Sequence, residues 1–487
     1  MNFNSGAFLI FLPISVGVYW LLPQRFRKYW LLAASYFFYM YWNPLLILLL
    51  LTSTVIDYCC GRGMEASPDR PKKRKVLLLV SICMNLGLLF FFKYWDFFGE
   101  TLNIFAQHLN VPYRVPALHL ILPVGISFYT FQTMSYSIDV YRGDAPAERD
   151  FVSFALYVSF FPQLVAGPIE NPRDLLPQLK AEHRLNREDL RAGFRLLLCG
   201  FFRKCVVADL CGIYVNAVYA DAASASSLAV AAAGALFCIQ MYCDFAGYSE
   251  IAAGAARLMG VRLMRNFNRP YLSQSYGEFF RRWHISLNRW FTSYLYIPIG
   301  GGRKGQVRKM LNTLIVFALC GLWHGARWTY VLWGLYAAFF VCLESLLKKP
   351  AERLVKKISL PLESPLVILF RRIYMFLIFI PAALIFRSES IGQLSVLLRR
   401  LFTAPADLPG ALRMMGLNSF SLISLALTLA AMNAMHVWSD YDLPKATTEI
   451  DASRRLVSAV YCIMVIALSW LALLATQDAA GFAYFQF

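Results

Sequence analysis

Apolar runs approaching 20 residues recur along this chain, and a run of that length with few charges is what a helix needs to cross a bilayer. They read from Ala7 to Leu22, Val76 to Phe92, Leu118 to Ile138, Phe151 to Ile169, Leu228 to Tyr248, Leu311 to Val341, Ile373 to Phe386, Phe420 to Val437 and Leu456 to Ala475. Of 487 residues, 58% are apolar and only 16% charged, against roughly 25% charged in a soluble domain. That balance excludes a soluble fold. Rings make up 16% of the chain, as expected where Trp, Tyr and Phe sit at lipid and headgroup depth. The expected fold class is an all-α polytopic membrane protein of about 11 to 13 membrane helices, some of them broken, in one integral domain over 1–487.

A formal charge of +18 raises the question of nucleic acid. Here the cations cluster between the apolar runs, at Arg25 to Lys28, Lys72 to Lys75, Lys348 to Lys357 and Arg371-Arg372, the pattern of cytoplasmic loops. A nucleic-acid partner is not expected. Cys199, Cys205, Cys238 and Cys320 sit inside apolar runs as small apolar residues, and no spacing suggests a disulfide framework or a metal site. The first run precedes any Lys or Arg and lacks a small-residue cleavage site, so it reads as a retained helix with the N-terminus outside. The last run follows Arg454-Arg455 and no basic residue follows it, which places the C-terminus outside as well.

Two stretches do not fit a single crossing. Tyr29 to Asp57 has basic clusters on both sides and Asn43-Pro44 at its middle, which suggests two half-length helices entering and leaving on one face. Leu311 to Val341 has the same parity problem, with Gly321-Leu322-Trp323-His324-Gly325 at its centre. Arg195, Arg203, Lys204, Asp209 and Asp244 lie in apolar surroundings and must face an interior rather than lipid. Glu170 to Arg191, with breaks at Pro172 and Pro177, reads as a cytoplasmic surface helix pair.

Candidate chemistry concentrates on two of the six histidines. His324 is an ionisable group in an apolar run, which marks a functional site at membrane depth; the alternative is a His bonded to a carbonyl to fix helix packing. Gly321 and Gly325 thin the wall on either side of the imidazole, as close substrate approach needs. His284 lies in Arg281-Arg282-Trp283-His284-Ile285-Ser286-Leu287-Asn288-Arg289, where Asn288 is one turn away and able to orient the ring. The plainer account of that stretch is an interfacial amphipathic helix with an arginine face. Gly300-Gly301-Gly302-Arg303-Lys304-Gly305 is either a weak anion site or a tight basic turn, and it is not a nucleotide-hydrolysing loop, because Gln306 and Val307 stand where Lys and Ser/Thr belong. No metal set, serine elbow or zincin spacing is present. One or two imidazoles in a membrane interior suit acyl transfer from a thioester, which needs only deprotonation of a hydroxyl and polarisation of a carbonyl.

At these residues the sequence strongly resembles the membrane-bound O-acyltransferase family, in the bacterial branch that holds the alginate O-acetylation and teichoic acid D-alanylation membrane proteins. The features run nearly end to end: Ser35 to Tyr39, Trp42-Asn43-Pro44, Leu122 to Phe128, Asp139 to Arg142, Phe161 to Leu164, Ala166 to Ile169, Asp244-Phe245, Asn266-Phe267, Pro270-Tyr271, Arg282-Trp283-His284, the Gly300 to Arg303 loop, Asn312 and Leu322-Trp323-His324-Gly325. The resemblance implies that His324 is the catalytic histidine and His284 the second signature residue. Asn288, Arg281, Arg282, Arg303, Asn312 and Trp323 are expected to support them or to bind the donor. It implies broken and re-entrant helices around a central funnel, with a catalytic core at about 118–345.

The resemblance further implies an acetyl group taken from a cytoplasmic thioester, acetyl-CoA or an acyl-carrier thioester, with no bound cofactor. A partner acyltransferase outside, similar to SGNH hydrolases, then acetylates an alginate-like exopolysaccharide or peptidoglycan. The implied location is the bacterial cell membrane, in contact with its lipid. The end of the chain, Gly481 to Phe487 within an extracytoplasmic tail at 479–487, is similar to endings in which a tyrosine receives the acyl group. Tyr484 is therefore the relay candidate, an interfacial aromatic anchor being the alternative. Two other functions stay in view: D-alanyl transfer to teichoic acid and, from another class, a secondary transporter or flippase of glycans, since broken helices and buried charges also suit a transport path.

Overall fold

Every regular element is helical among the residues that this computed structural model describes, 1–357, 361 and 364–438. In lipid a helix satisfies its own backbone, so long apolar sequence folds this way without help from neighbours. Among the described residues five helices are long and apolar enough to cross a membrane: Pro44–Glu65, Pro71–His108, Ser227–Leu258, Trp328–Arg353 and Pro365–Arg387. The pair Leu408–Met414 and Ser419–Met432, bent by 82°, makes a sixth if taken as one broken span. The remaining helices are too short or too polar to cross alone, so the described residues hold fewer full crossings than the 11 to 13 membrane helices expected. The last expected run, Leu456 to Ala475, lies outside the described residues.

The described chain divides into two compact units, one of residues 1–194 and 252–264 and one of residues 195–251 and 265 onward. In the first, the Gln24–Met40 helix ends before Asn43, whose side chain accepts the Leu45 N–H at 3.0 Å and caps a 3₁₀ turn into Ile47–Glu65. The break expected at Asn43-Pro44 is therefore present, but the flanking helices are 17 and 22 residues long rather than half-length. Three helices of this unit meet at Asp57, which is fully buried. Ser81 Oγ, Ser137 Oγ at 2.9 Å and Asn85 Nδ2 at 2.7 Å all donate to its carboxylate.

Two expected spans of the first unit are corrected. Leu118 to Ile138 is not one helix: the helix runs Ile126–Arg142, because Pro123 and Gly125, with φ +76°, set its start. The irregular segment before it is held by side chains, with Asn103 bonding both the N–H and the carbonyl of Val115 and Asp96 accepting from Leu118 and His119. Phe151 to Ile169 breaks into Phe151–Ser159 and the four-residue Phe161–Leu164, since Pro162 interrupts the backbone bonding; both pieces are almost wholly buried. The polar stretch after Glu170 does form two helices, Pro172–Lys180 and Arg187–Phe201.

In the second unit the buried charges satisfy one another. Arg203 Nη1 meets Glu250 Oε1 at 2.6 Å, and Lys204 Nζ meets Asp209 and Asp244 at 2.7 and 2.9 Å. The 32-residue Ser227–Leu258 helix carries Asp244 and Phe245 into this interior. Gln306–His324 and Trp328–Lys357 pack antiparallel as a hairpin, with Lys309 Nζ donating to Ser345 Oγ at 3.0 Å. The parity problem at Leu311 to Val341 is thus resolved by a turn directly after His324. Pro365–Arg387 starts on Pro365 with Ser364 as its cap and packs aromatic residues beside the hairpin.

Candidate active site

The segment from Arg265 to Phe291 builds the seat of the first imidazole. Ser275 caps the Tyr276–Arg282 helix, accepting the Glu278 N–H at 3.1 Å, and the next helix begins at Ile285. Between them His284 adopts the left-handed conformation at φ +45°, which costs a non-glycine residue about 1–2 kcal/mol. Backbone and amide bonds impose it. The Ile285 N–H donates to Asn266 O at 2.9 Å and the Asn268 N–H to Arg282 O at 2.8 Å, while Asn288 Nδ2 donates to the carbonyls of Trp283 and His284 at 2.7 and 3.2 Å.

The turn buries the His284 ring to 1% exposure. Its Nδ1 lies 3.2 Å from Asn266 Oδ1, and its face meets the Phe245 ring edge-on with centroids 4.7 Å apart. Trp323 stands 5.9 Å away and His324 6.5 Å away by ring centroids. Burial foremost, and then the nearby His324, hold the His284 pKa well below the ordinary imidazole value, so the ring is neutral. His284 lies outside the apolar crossing helices.

His324 ends the Gln306–His324 helix, where Gly325 turns to extended backbone. Its ring packs against Trp333 at 5.3 Å and 89°, Phe386 at 5.5 Å and Trp323 at 5.2 Å. The half-buried imidazole borders a cavity of about 560 Å³, measured out to its mouth, lined by Phe237, Tyr271, Phe279, Trp283, Trp333 and Phe386 among others. A largely apolar, aromatic wall with an imidazole in it is the make-up of a small-molecule pocket.

The glycines beside His324 serve another purpose than expected. A Cβ at Gly321 would stand 2.1 Å from the Tyr330 carbonyl oxygen, and one at Gly325 would stand 2.3 Å from the Tyr330 ring. A Cβ at Gly334 would likewise stand 2.1 Å from the Phe317 carbonyl oxygen. The small residues let the two helices of the hairpin touch; they do not open a path along the imidazole.

Of the other expected site residues, Trp323 is buried and its ring meets both imidazoles. Asn288 holds the turn's carbonyls and leaves the His284 ring to Asn266, a correction of the one-turn spacing. Arg282 pairs with Glu278 at 2.7 Å, and Arg281, Arg289 and Arg303 are exposed, whereas His284 sits among Phe245, Trp323 and His324. Asn312, fully buried, donates to the Gly301 carbonyl at 2.8 Å and anchors the glycine loop, in which Gly300, Gly301 and Gly305 have positive φ. Tyr484 lies outside the described residues. Among the described residues no three His, Cys, Asp or Glu gather as a metal would need. Asn266 is a residue of the imidazole site that the residue chemistry alone did not single out, since its partner stands 18 positions downstream.

Among the described residues, an all-helical fold with several helices able to cross a membrane is that of a multi-pass membrane protein, whose aromatic pocket is bordered by the His324 imidazole with that of His284 6.5 Å from it. Residues 76–382 match the model of the MBOAT, or membrane-bound O-acyltransferase, family; the chain belongs to that family and is an O-acyltransferase. It is similar over its whole length to the probable alginate O-acetylase AlgI of Azotobacter vinelandii, with 35% identity over 100% of both chains. The corresponding protein of Pseudomonas aeruginosa is 40% identical over 71% of this chain and 66% of its own. The peptidoglycan O-acetyltransferase of Helicobacter pylori is 35% identical over 68% of each.

Proposed function

We propose that this protein takes an acetyl group from a cytoplasmic thioester, acetyl-CoA or an acyl carrier, and passes it across the cell membrane for O-acetylation of an exported or cell-surface polysaccharide. What supports the acetyl group and the acceptor class is likeness to relatives named for the O-acetylation of alginate and of peptidoglycan, both polysaccharides. The observation that carries the mechanism is the imidazole of His324 on the wall of the aromatic cavity with His284 only 6.5 Å from it.

In this reading His324 removes the proton from the acceptor oxygen as that oxygen attacks the thioester carbonyl. The new C–O bond forms, the C–S bond breaks, and the sulfur leaves as the thiol with the proton returned from the imidazolium. The aromatic wall excludes water, which protects the thioester from hydrolysis. Tyr484 is the first oxygen to receive the acetyl group, and a partner acyltransferase outside takes it onward to the polymer. Exposed Arg281 and Arg289 attract the acidic donor.

Purified protein in proteoliposomes, given labelled acetyl-CoA, should become acetylated or release free CoA. His324→Ala should lower that rate by about a hundredfold or more with the protein still inserted, as loss of a general base does. Residual activity above a few per cent would reject the assignment of His324.

A further inference from the structure

We infer that Asn266 is the positioning residue of His284, holding the ring as its Nδ1–H tautomer so that Nε2 is the basic nitrogen available to the reaction. The inference rests on the reading of the two imidazoles as an acyl-transfer site.

The polarity of the hydrogen bonds forces it. The backbone N–H of Ser286 is a donor without alternative, and it lies 3.2 Å from one terminal atom of the Asn266 carboxamide. That atom is therefore the oxygen; with the amide turned over, an NH2 group would face an N–H. Two further contacts agree: Ser286 Oγ reaches the same oxygen at 3.0 Å, and Asn266 Nδ2 donates to Ser249 Oγ at 3.3 Å. An acceptor oxygen 3.2 Å from His284 Nδ1 requires a proton on Nδ1. A neutral imidazole has one N–H, so Nε2 carries the lone pair.

Asn266 also accepts the Ile285 N–H on its main-chain carbonyl, and so grips three consecutive residues, His284 to Ser286, through four bonds. The left-handed backbone of His284 is what brings its Nδ1 and the Ser286 N–H to one acceptor. Phe245 edge-on and Trp323 fix the ring plane, and the His324 imidazole stands 6.5 Å away. His284 thus enters the reaction as a proton or hydrogen-bond acceptor at Nε2, not as a donor to the thioester carbonyl. That divides the pair from any arrangement in which His284 polarises the carbonyl.

The direct test is ¹⁵N magic-angle-spinning NMR of histidine-labelled full-length protein in lipid bilayers at neutral pH, with His284 identified by subtracting the spectrum of His284→Gln. A protonated Nδ1 and a bare Nε2 are expected; a protonated Nε2 overturns the inference, and no Asn266 variant has to fold for that result. Kinetics supply the second arm. Asn266→Ala should mix the tautomers and lower kcat for acetyl transfer by about tenfold or more with KM for acetyl-CoA changed by less than about twofold. Asn266→Asp, whose carboxylate oxygen accepts the same Nδ1–H, should recover most of that loss, which a purely structural role would not predict. An Asn266→Ala protein with unchanged tautomer and unchanged kcat also overturns it. If the wild-type protein turns over no acetyl-CoA, the acyl-transfer reading fails while the NMR result still decides the tautomer.

Discussion

Replacing Gly321 by Ala should cripple acyl transfer although the new methyl group touches neither imidazole. Gly321 lies three residues before His324 on the same helix, where an added Cβ would stand 2.1 Å from the Tyr330 carbonyl oxygen. Ordinary contact begins at 3.4 Å, so the two helices must separate by about 1.3 Å at that point. The obstructing atom is backbone, so no flexible side chain can swing aside. Overpacking of this kind costs about 1–3 kcal/mol of stability. The larger effect is on position: a misplacement of about 1 Å in a catalytic group lowers a rate by about a hundredfold, and His324 rides on the displaced helix end. The assay compares acetyl-CoA turnover and melting temperature in detergent for Gly321→Ala and for Gly87→Ala, whose new Cβ meets nothing within 4 Å. Gly87→Ala should match wild type. A Gly321→Ala protein with wild-type kcat would show that the hairpin contact does not set the position of His324.

Glu250→Ala removes the carboxylate that Arg203 meets at 2.6 Å in a site where both side chains are 5% exposed or less, and should cost about 3–5 kcal/mol; an unchanged melting temperature in detergent would count against that pairing. Tyr484→Phe keeps the ring and deletes the oxygen, so polymer acetylation in cells should be lost with membrane levels unchanged; near-normal acetylation would mean that the ring only anchors the chain end.

Hydropathy and backbone punctuation act locally, and what they govern was legible in the sequence: the all-helical class, the break at Asn43-Pro44 and the polar helix pair after Glu170. Span limits were less so, because Leu118 to Val124 is apolar enough for a helix, yet the chain entering it is held out of helix by Asn103 and Asp96 from another element. Hydropathy records what a residue avoids, not which partner it finds.

Partnership is where tertiary structure decided. Nothing local says that Arg203 pairs with Glu250, that Gly321 meets Tyr330 rather than a substrate, or that Asn266 and not Asn288 holds the His284 ring. The spacing of Asn288 from His284 is that of neighbours on a continuous helix, and the chain instead turns left-handed at His284, sending that amide to backbone carbonyls. The sequence alone singled out two candidates, His324 because an ionisable side chain in an apolar run is costly wherever it folds and His284 from its arginine-rich stretch. Their meeting 6.5 Å apart required the Asn266 grip on one ring and the glycine contacts of the hairpin that carries the other, interactions between residues far apart in the chain that no local pattern encodes.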